Sequence, residues 1–297
     1  MADNMVLVHG AWCGAWCWDR VTAALTEQGL IATAIDLPGH GGDASGMTDL
    51  HGDATRVTEI LDELGEPAIL VGHSYGGAVI TEAGEHPLVE HLVFIAAMAL
   101  DGGETCQKAA TEEVALVGLN WKGRPNFGKG FVVATDNTVT LDPTVAAQCL
   151  YSDCDKATVA WALNRLGAHP LGNLQQSPSR IAWRTKPSTY AICADDLVVH
   201  PDLQRILAKR CGSVVEWPTG HSPFLSDPER VAGLLTEIAQ SLITPATDTR
   251  AKQCNEMRVP KNVGSVTYAS TLISIRGGPI TPALAIAPFK SGSLAKA

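Results

Sequence analysis

Gly72-His73-Ser74-Tyr75-Gly76 sets a serine between two glycines, directly after the apolar run Ala68-Ile69-Leu70-Val71 and directly before a helical segment, Gly77 to Ala83. A strand that turns sharply into a helix leaves no room for side chains beside the residue at its apex, so this spacing suits a backbone that presents Ser74 to the outside. A hydroxyl is a weak nucleophile. It needs an imidazole base held by a carboxylate, and on a strand–turn–helix serine the order along the chain is serine, acid, histidine. The chain supplies that order: Asp195 and Asp196 follow the run Thr189–Cys193, and His221 follows the run Ser213–Glu216 within Trp217-Pro218-Thr219-Gly220-His221-Ser222-Pro223. The chemistry would be acyl transfer, with Ser74 attacking a carbonyl carbon and His221 taking and returning the proton.

Of the two acids Asp196 is favoured, because the Asp196-Leu197-Val198-Val199 context matches the usual carboxylate of this architecture; Asp195 becomes a solvated neighbour. His200, four positions after the acid and next to Pro201, fits the start of a helix better than a base reaching Ser74. His73 points away if Ser74 points in. Acyl transfer also needs donors for the developing oxyanion, and losing one such donor costs about 10²–10³ in rate. The first candidate is the Tyr75 N–H, at the positive end of the following helix. The second is the Ala11 N–H, in the turn Val8-His9-Gly10-Ala11-Trp12 after the first strand.

The elements that must position these groups are short β-branched runs alternating with amphipathic helices, the pattern of a mostly parallel sheet flanked by helices. Strands are expected at Met5–Val8, Ile31–Ile35, Ala68–Val71, Leu92–Ala96, Thr189–Cys193 and Ser213–Glu216. Helical periodicity is clearest at Val57, Ile60, Leu61 and Leu64, and at Val231, Leu234, Leu235, Ile238 and Leu242, the latter led by Asp227, Pro228 and Glu229. Between residues 101 and 186 the rhythm breaks, so a cap insertion above the carboxyl ends of the strands is expected, with residues 1–100 and 187–244 as the core.

Charge changes just after Ile243. Residues 245–297 carry seven basic side chains against Asp248 and Glu256, a net of +5, which leaves −14 for the rest of a 297-residue chain whose formal charge is −9. We read 245–297 as a poorly ordered basic appendage. An acidic body is the wrong sign for nucleic acid. The start, Met1-Ala2-Asp3-Asn4, lacks a basic leader, the apolar stretch Leu92 to Leu100 is too short to span a bilayer, and the eight irregularly spaced cysteines read as reduced thiols, so a cytoplasmic protein is expected. Cys13, Cys17, Cys149 and Cys154 lack metal-ligand spacing, and Gly39-His40-Gly41-Gly42 is not a dinucleotide fingerprint.

Taken together, His9-Gly10-Ala11-Trp12-Cys13-Gly14-Ala15-Trp16-Cys17-Trp18, Asp36-Leu37-Pro38-Gly39-His40-Gly41, the Ser74 pentapeptide, Cys193-Ala194-Asp195-Asp196 and Gly220-His221-Ser222 resemble an α/β-hydrolase of the methylesterase and hydroxynitrile-lyase branch over residues 5–243. The resemblance implies an α/β-hydrolase fold with a helical cap, a Ser74–His221–Asp196 triad, no metal or organic cofactor, and small to medium hydrophobic or aromatic esters as substrates. Tyr151-Ser152-Asp153-Cys154 with Trp161 to Leu166 resembles the cap of bacterial members, while the basic tail has no counterpart. Hydroxynitrile lyases of this branch carry threonine at the position of Gly10 and lysine at that of Ser222, so both residues favour an esterase. A lyase, a cofactor-free perhydrolase and a triad-bearing small-molecule receptor are the alternatives. Trp12, Trp121, Phe127, Phe131, Trp161, Leu166 and Trp183 are candidates for the substrate pocket, with packing of the cap as the equal alternative, and the chain could pair as a homodimer.

Overall fold

The computed structural model describes residues 4–110 and 124–243. Trp121 and the 245–297 tail therefore lie outside the described residues. Six strands form one parallel sheet: β1 (Asn4–Val8), β2 (Ile31–Ile35), β3 (Ala68–His73), β4 (Val89–Ile95), β8 (Ser188–Cys193) and β9 (Ser213–Trp217), in the order β2-β1-β3-β4-β8-β9. The chain runs from β1 outward to β2 and then returns to the other side of β1, so the direction of winding reverses between β1 and β3. Ligands of open α/β sheets bind outside the carboxyl ends of the strands at such a reversal, and the loops carrying Ala11 and Ser74 leave β1 and β3 at that point.

The β-branched runs are near-continuous because both faces of the sheet are covered. Val6, Val8, Leu70, Phe94, Tyr190 and Ile192 point to one side, where they meet α2 (Leu50–Leu64), α3 (Gly76–Ala83) and α6 (Pro201–Ala208). Met5, Leu7, Ile69, Val71, Val93 and Ile95 point to the other, against α1 (Asp19–Glu27) and α7 (Pro228–Ile243). Helix α2 is fixed at both ends: the Asp49 side chain accepts from the Gly52 amide, and Gly65 closes the helix at φ 65°, a left-handed turn that glycine adopts without strain. Its predicted apolar positions Val57 and Leu61 are buried.

Strand β4 begins three residues before the expected Leu92. Glu90 and His91 interrupt the apolar run there, yet His91 is held by the Thr189 hydroxyl on β8.

Between β4 and β8, where the insertion is expected, the described residues form α4 (Pro143–Leu150) and α5 (Lys156–Leu163), and also an antiparallel sheet that a purely helical cap would lack: β5 (Phe131–Val133), β6 (Thr138–Leu141) and β7 (His169–Pro170). Its hairpin turns at Asn137, φ 62°, where the Asp136 carboxylate accepts from the Thr138 amide. Strands of two to four residues are too short to show a period of two in sequence. No helix among the described residues is long and apolar enough to cross a membrane.

Candidate active site

Ser74 occupies φ 52°, a left-handed conformation in which a non-glycine residue is strained. The flanking glycines are needed because backbones cross there. A Cβ on Gly72 would sit 2.6 Å from the Gly76 carbonyl oxygen, and one on Gly76 would sit 2.6 Å from the carbonyl oxygen of His9. The turn is fastened by the Ser74 carbonyl, which accepts from Gly77 and Met98, and by the Ser74 amide, which donates to Ile95. Ser74 Oγ makes no hydrogen bond among the described residues.

Asp196 and His221 leave the carboxyl ends of β8 and β9, and their loops are joined by the Asp195 amide donating to the Thr219 carbonyl. Both side chains are buried, and His221 Nδ1–H donates to Asp196 Oδ2 at 2.8 Å. That bond leaves Nε2 as the basic nitrogen of the imidazole. Asp195, its sequence rival, is exposed. The Asp196 carboxylate is fully engaged: Oδ1 accepts from the amides of Val198 (2.7 Å) and Val199 (3.1 Å), and Oδ2 accepts from Gln204 Nε2 (2.8 Å) as well as from His221. His200 caps α6, its Nδ1 accepting from the Asp202 amide.

His73 does turn away from the cavity. Its Nε2–H donates to the His221 carbonyl at 2.8 Å and its ring packs 4.6 Å from the His221 ring, so the residue before the serine holds the histidine loop against the elbow. Burial, and then the neighbouring His221, push the His73 pKa well below the usual value, keeping it neutral in this role. Gly10 lies against the same group, since a Cβ there would meet His73 Nδ1 at 2.8 Å and Ser74 Cβ at 3.0 Å.

Ala11 and Tyr75 line the same cavity as Ser74, and the amide of neither donates to a protein acceptor among the described residues. The loop that carries Ala11 is tied to its surroundings. The indole N–H of Trp12 donates to the Val139 carbonyl of β6 at 2.9 Å, and His9 Nε2 accepts from the Leu37 amide. Burial and the nearby His40 lower the His9 pKa to about 4. Tyr75 points its hydroxyl to the buried Asp53 at 2.6 Å, which also accepts from Asn173 of the insertion.

The cavity has a volume of about 790 Å³, within the usual range for small-molecule sites. Trp12, Phe127 and Phe131 line it; Trp161 and Trp183 are not among its lining residues. Trp161 packs edge-on against Trp16 beneath Arg165, and the Trp183 indole donates to the Leu100 carbonyl. Leu166 likewise packs into the core and is absent from the lining. An indole reads the same in sequence whether it lines a pocket or fills a core.

Three residues of the site are invisible to motif reading. Gln204 lies on α6, Asp153 accepts from the Gly220 amide at 2.6 Å just before His221, and Arg124 donates from Nη1 to the Asp196 carbonyl at 2.6 Å. Only the Gln204 position, eight residues after Asp196 on a helix starting at Pro201, could have hinted at its role. Among the described residues no group of three or more His, Cys, Asp or Glu is arranged to hold a metal.

A strained serine between β3 and α3, an acid after β8 and a histidine after β9 are the arrangement of the α/β-hydrolases. The profile of the Alpha/beta hydrolase family matches residues 5–234, and the chain belongs to that family as an esterase-type serine hydrolase with methylesterase-like relatives. It is 28% identical over 260 residues to putative methylesterase 12, chloroplastic, of Arabidopsis thaliana, covering 80% of this chain and 72% of that one. It is 27% identical over 259 residues to the pyrethroid hydrolase of Sphingobium wenxiniae, covering 80% and 88%. The crystal structure of a pyrethroid hydrolase from Sphingobium faniae superposes with a TM-score of 0.70 at 24% identity, over 81% of this chain and 98% of that one, and shows the same fold.

Proposed function

We propose that the protein hydrolyses small to medium hydrophobic or aromatic carboxylic esters through an acyl-enzyme, with Ser74 as nucleophile, His221 as general acid–base and Asp196 as its orienting carboxylate. The observation that carries this reading is the buried 2.8 Å His221–Asp196 pair on the same sheet edge as a strained serine that opens onto the cavity. Ser74 Oγ attacks the ester carbon while its proton passes to His221 Nε2; the alkoxide leaves with that proton, and water repeats the sequence to release the acid. The unbonded amides of Ala11 and Tyr75 stabilise the oxyanion at each tetrahedral stage.

Relatives named as methylesterases and as a pyrethroid hydrolase support ester cleavage, and the aromatic walls of Trp12, Phe127 and Phe131 support hydrophobic acyl or alcohol groups. The crowding at Gly10 argues against a lyase, because a larger residue there would push on His73 and on Ser74 itself. The test is hydrolysis of p-nitrophenyl esters across acyl lengths by wild type and Ser74→Ala. Turnover that disappears with the serine is expected; equal turnover in the variant would remove Ser74 from the reaction, and tight binding with negligible turnover would favour a receptor.

A further inference from the structure

Arg124 is the one charged side chain among the described residues that line the cavity, whose other walls are mainly aromatic and aliphatic. It is half-buried and pinned, because Nη1 donates to the Asp196 backbone carbonyl at 2.6 Å. The guanidinium has five N–H donors, of which that bond uses one, and no carboxylate among the described residues pairs with it. A guanidinium stays charged at every working pH and presents its donors as a planar fork that fits a carboxylate in two parallel bonds. Placed against apolar walls, where water screens it less than at an open surface, such a cation favours an anionic partner over a neutral one.

We infer that the site takes esters bearing a second, free carboxylate, half-esters of dicarboxylic acids in the simplest case, and that Arg124 binds that carboxylate while Ser74 attacks the ester carbonyl. This rests on the esterase reading. The chemistry is unchanged: the bond from Ser74 Oγ to the acyl carbon forms, the alkoxy C–O bond breaks, the alcohol leaves with the proton held by His221, and water then frees the dicarboxylate. What Arg124 adds is discrimination, since a bound carboxylate fixes one end of a flexible acyl chain and leaves the other at the serine.

The probes are the monomethyl and dimethyl esters of the straight-chain diacids from succinate to suberate. In the wild type, kcat/KM for the best monomethyl ester should exceed that for its dimethyl partner at least tenfold. Arg124→Gln should lower this ratio at least tenfold, and Arg124→Lys should recover part of it because a point charge remains. The dimethyl ester serves as the internal control for damage to the fold. In parallel, calorimetric binding of the same monomethyl ester to Ser74→Ala should weaken at least tenfold in Ser74→Ala/Arg124→Gln. A ratio that Arg124→Gln leaves within twofold, or binding equally tight in the two serine variants, would overturn the inference. If Arg124-dependent binding is found but no ester is turned over, the carboxylate site stands and the esterase reading fails. Ser74-dependent hydrolysis of dimethyl esters with no preference for half-esters would instead keep the esterase and remove the carboxylate site.

Discussion

Replacing Gln204 with leucine removes one hydrogen bond from Asp196, the proposed triad acid, without touching Ser74, His221 or the carboxylate itself. The Gln204 amide donates to Asp196 Oδ2 and to the Val199 carbonyl, each at 2.8 Å, and its oxygen accepts from the Cys193 amide at 2.9 Å. A hydrogen bond to a charged group is worth about 1.5–3 kcal/mol, and each buried backbone group left unpaired costs about 1–3 kcal/mol. Together these contributions reach on the order of 4–9 kcal/mol before the surroundings relax, enough to lower Tm by about ten degrees or more. The catalytic consequence is separate. Gln204 also fixes the carboxylate to which His221 donates, so loosening it should lower kcat about tenfold or more with KM little changed. The assay is p-nitrophenyl ester hydrolysis at a temperature where the variant remains folded. A fallen Tm with an unchanged kcat would show that Gln204 only supports the fold, and would refute its role in positioning the acid.

Other outcomes follow from the same geometry. Asp196→Asn should cut kcat by about 10³–10⁴-fold by spoiling the imidazole tautomer, whereas the exposed Asp195→Asn should stay within a few-fold of wild type; the opposite ranking would exchange their roles. Gly72→Ala drives a Cβ to 2.6 Å from the Gly76 carbonyl oxygen, so about 1–3 kcal/mol of stability should be lost, and a melting curve matching wild type would contradict the crowded elbow. Stability should decline as pH falls from about 6.5 towards 4. His9, lowered to about 4 in the folded chain, takes up its proton more readily when unfolded, which withdraws on the order of 3 kcal/mol across that window. His73 and His169 are lowered too and act in the same sense, while the raised carboxyl of buried Asp53 partly offsets them. A Tm at pH 4.5 equal to that at pH 7 would disprove this balance.

Features set by local backbone constraints were legible in the sequence. The glycines around Ser74 are there because Cβ atoms do not fit, and crowding of that kind leaves an unambiguous residue type. The β-branched runs announced the parallel sheet because burial on both faces removes polar residues from them. That Asp196 and His221 stand just after β8 and β9 was legible from the apolar runs that precede them. The supporting shell was not. Gln204, Asp153 and Arg124 act through contacts to residues 8, 67 and 72 positions away along the chain, and apart from the place of Gln204 on the helix after Asp196 nothing in their sequence ties them to those contacts. The small sheet between β4 and β8 is illegible in sequence for a related reason, since its strands are too short to carry a pattern and are joined through His169, 30 residues from its partner Val139.

A Ser74 nucleophile must become covalently acylated during turnover. Rapid acid quench of the enzyme with a slowly deacylating p-nitrophenyl ester, followed by intact-mass and peptide-mapping mass spectrometry, reads that intermediate directly. A mass increase equal to the acyl group is expected, confined to the peptide containing Ser74 and missing from Ser74→Ala. Release of p-nitrophenol by the wild type with no adduct at Ser74, or an adduct on another side chain that persists in Ser74→Ala, would contradict it.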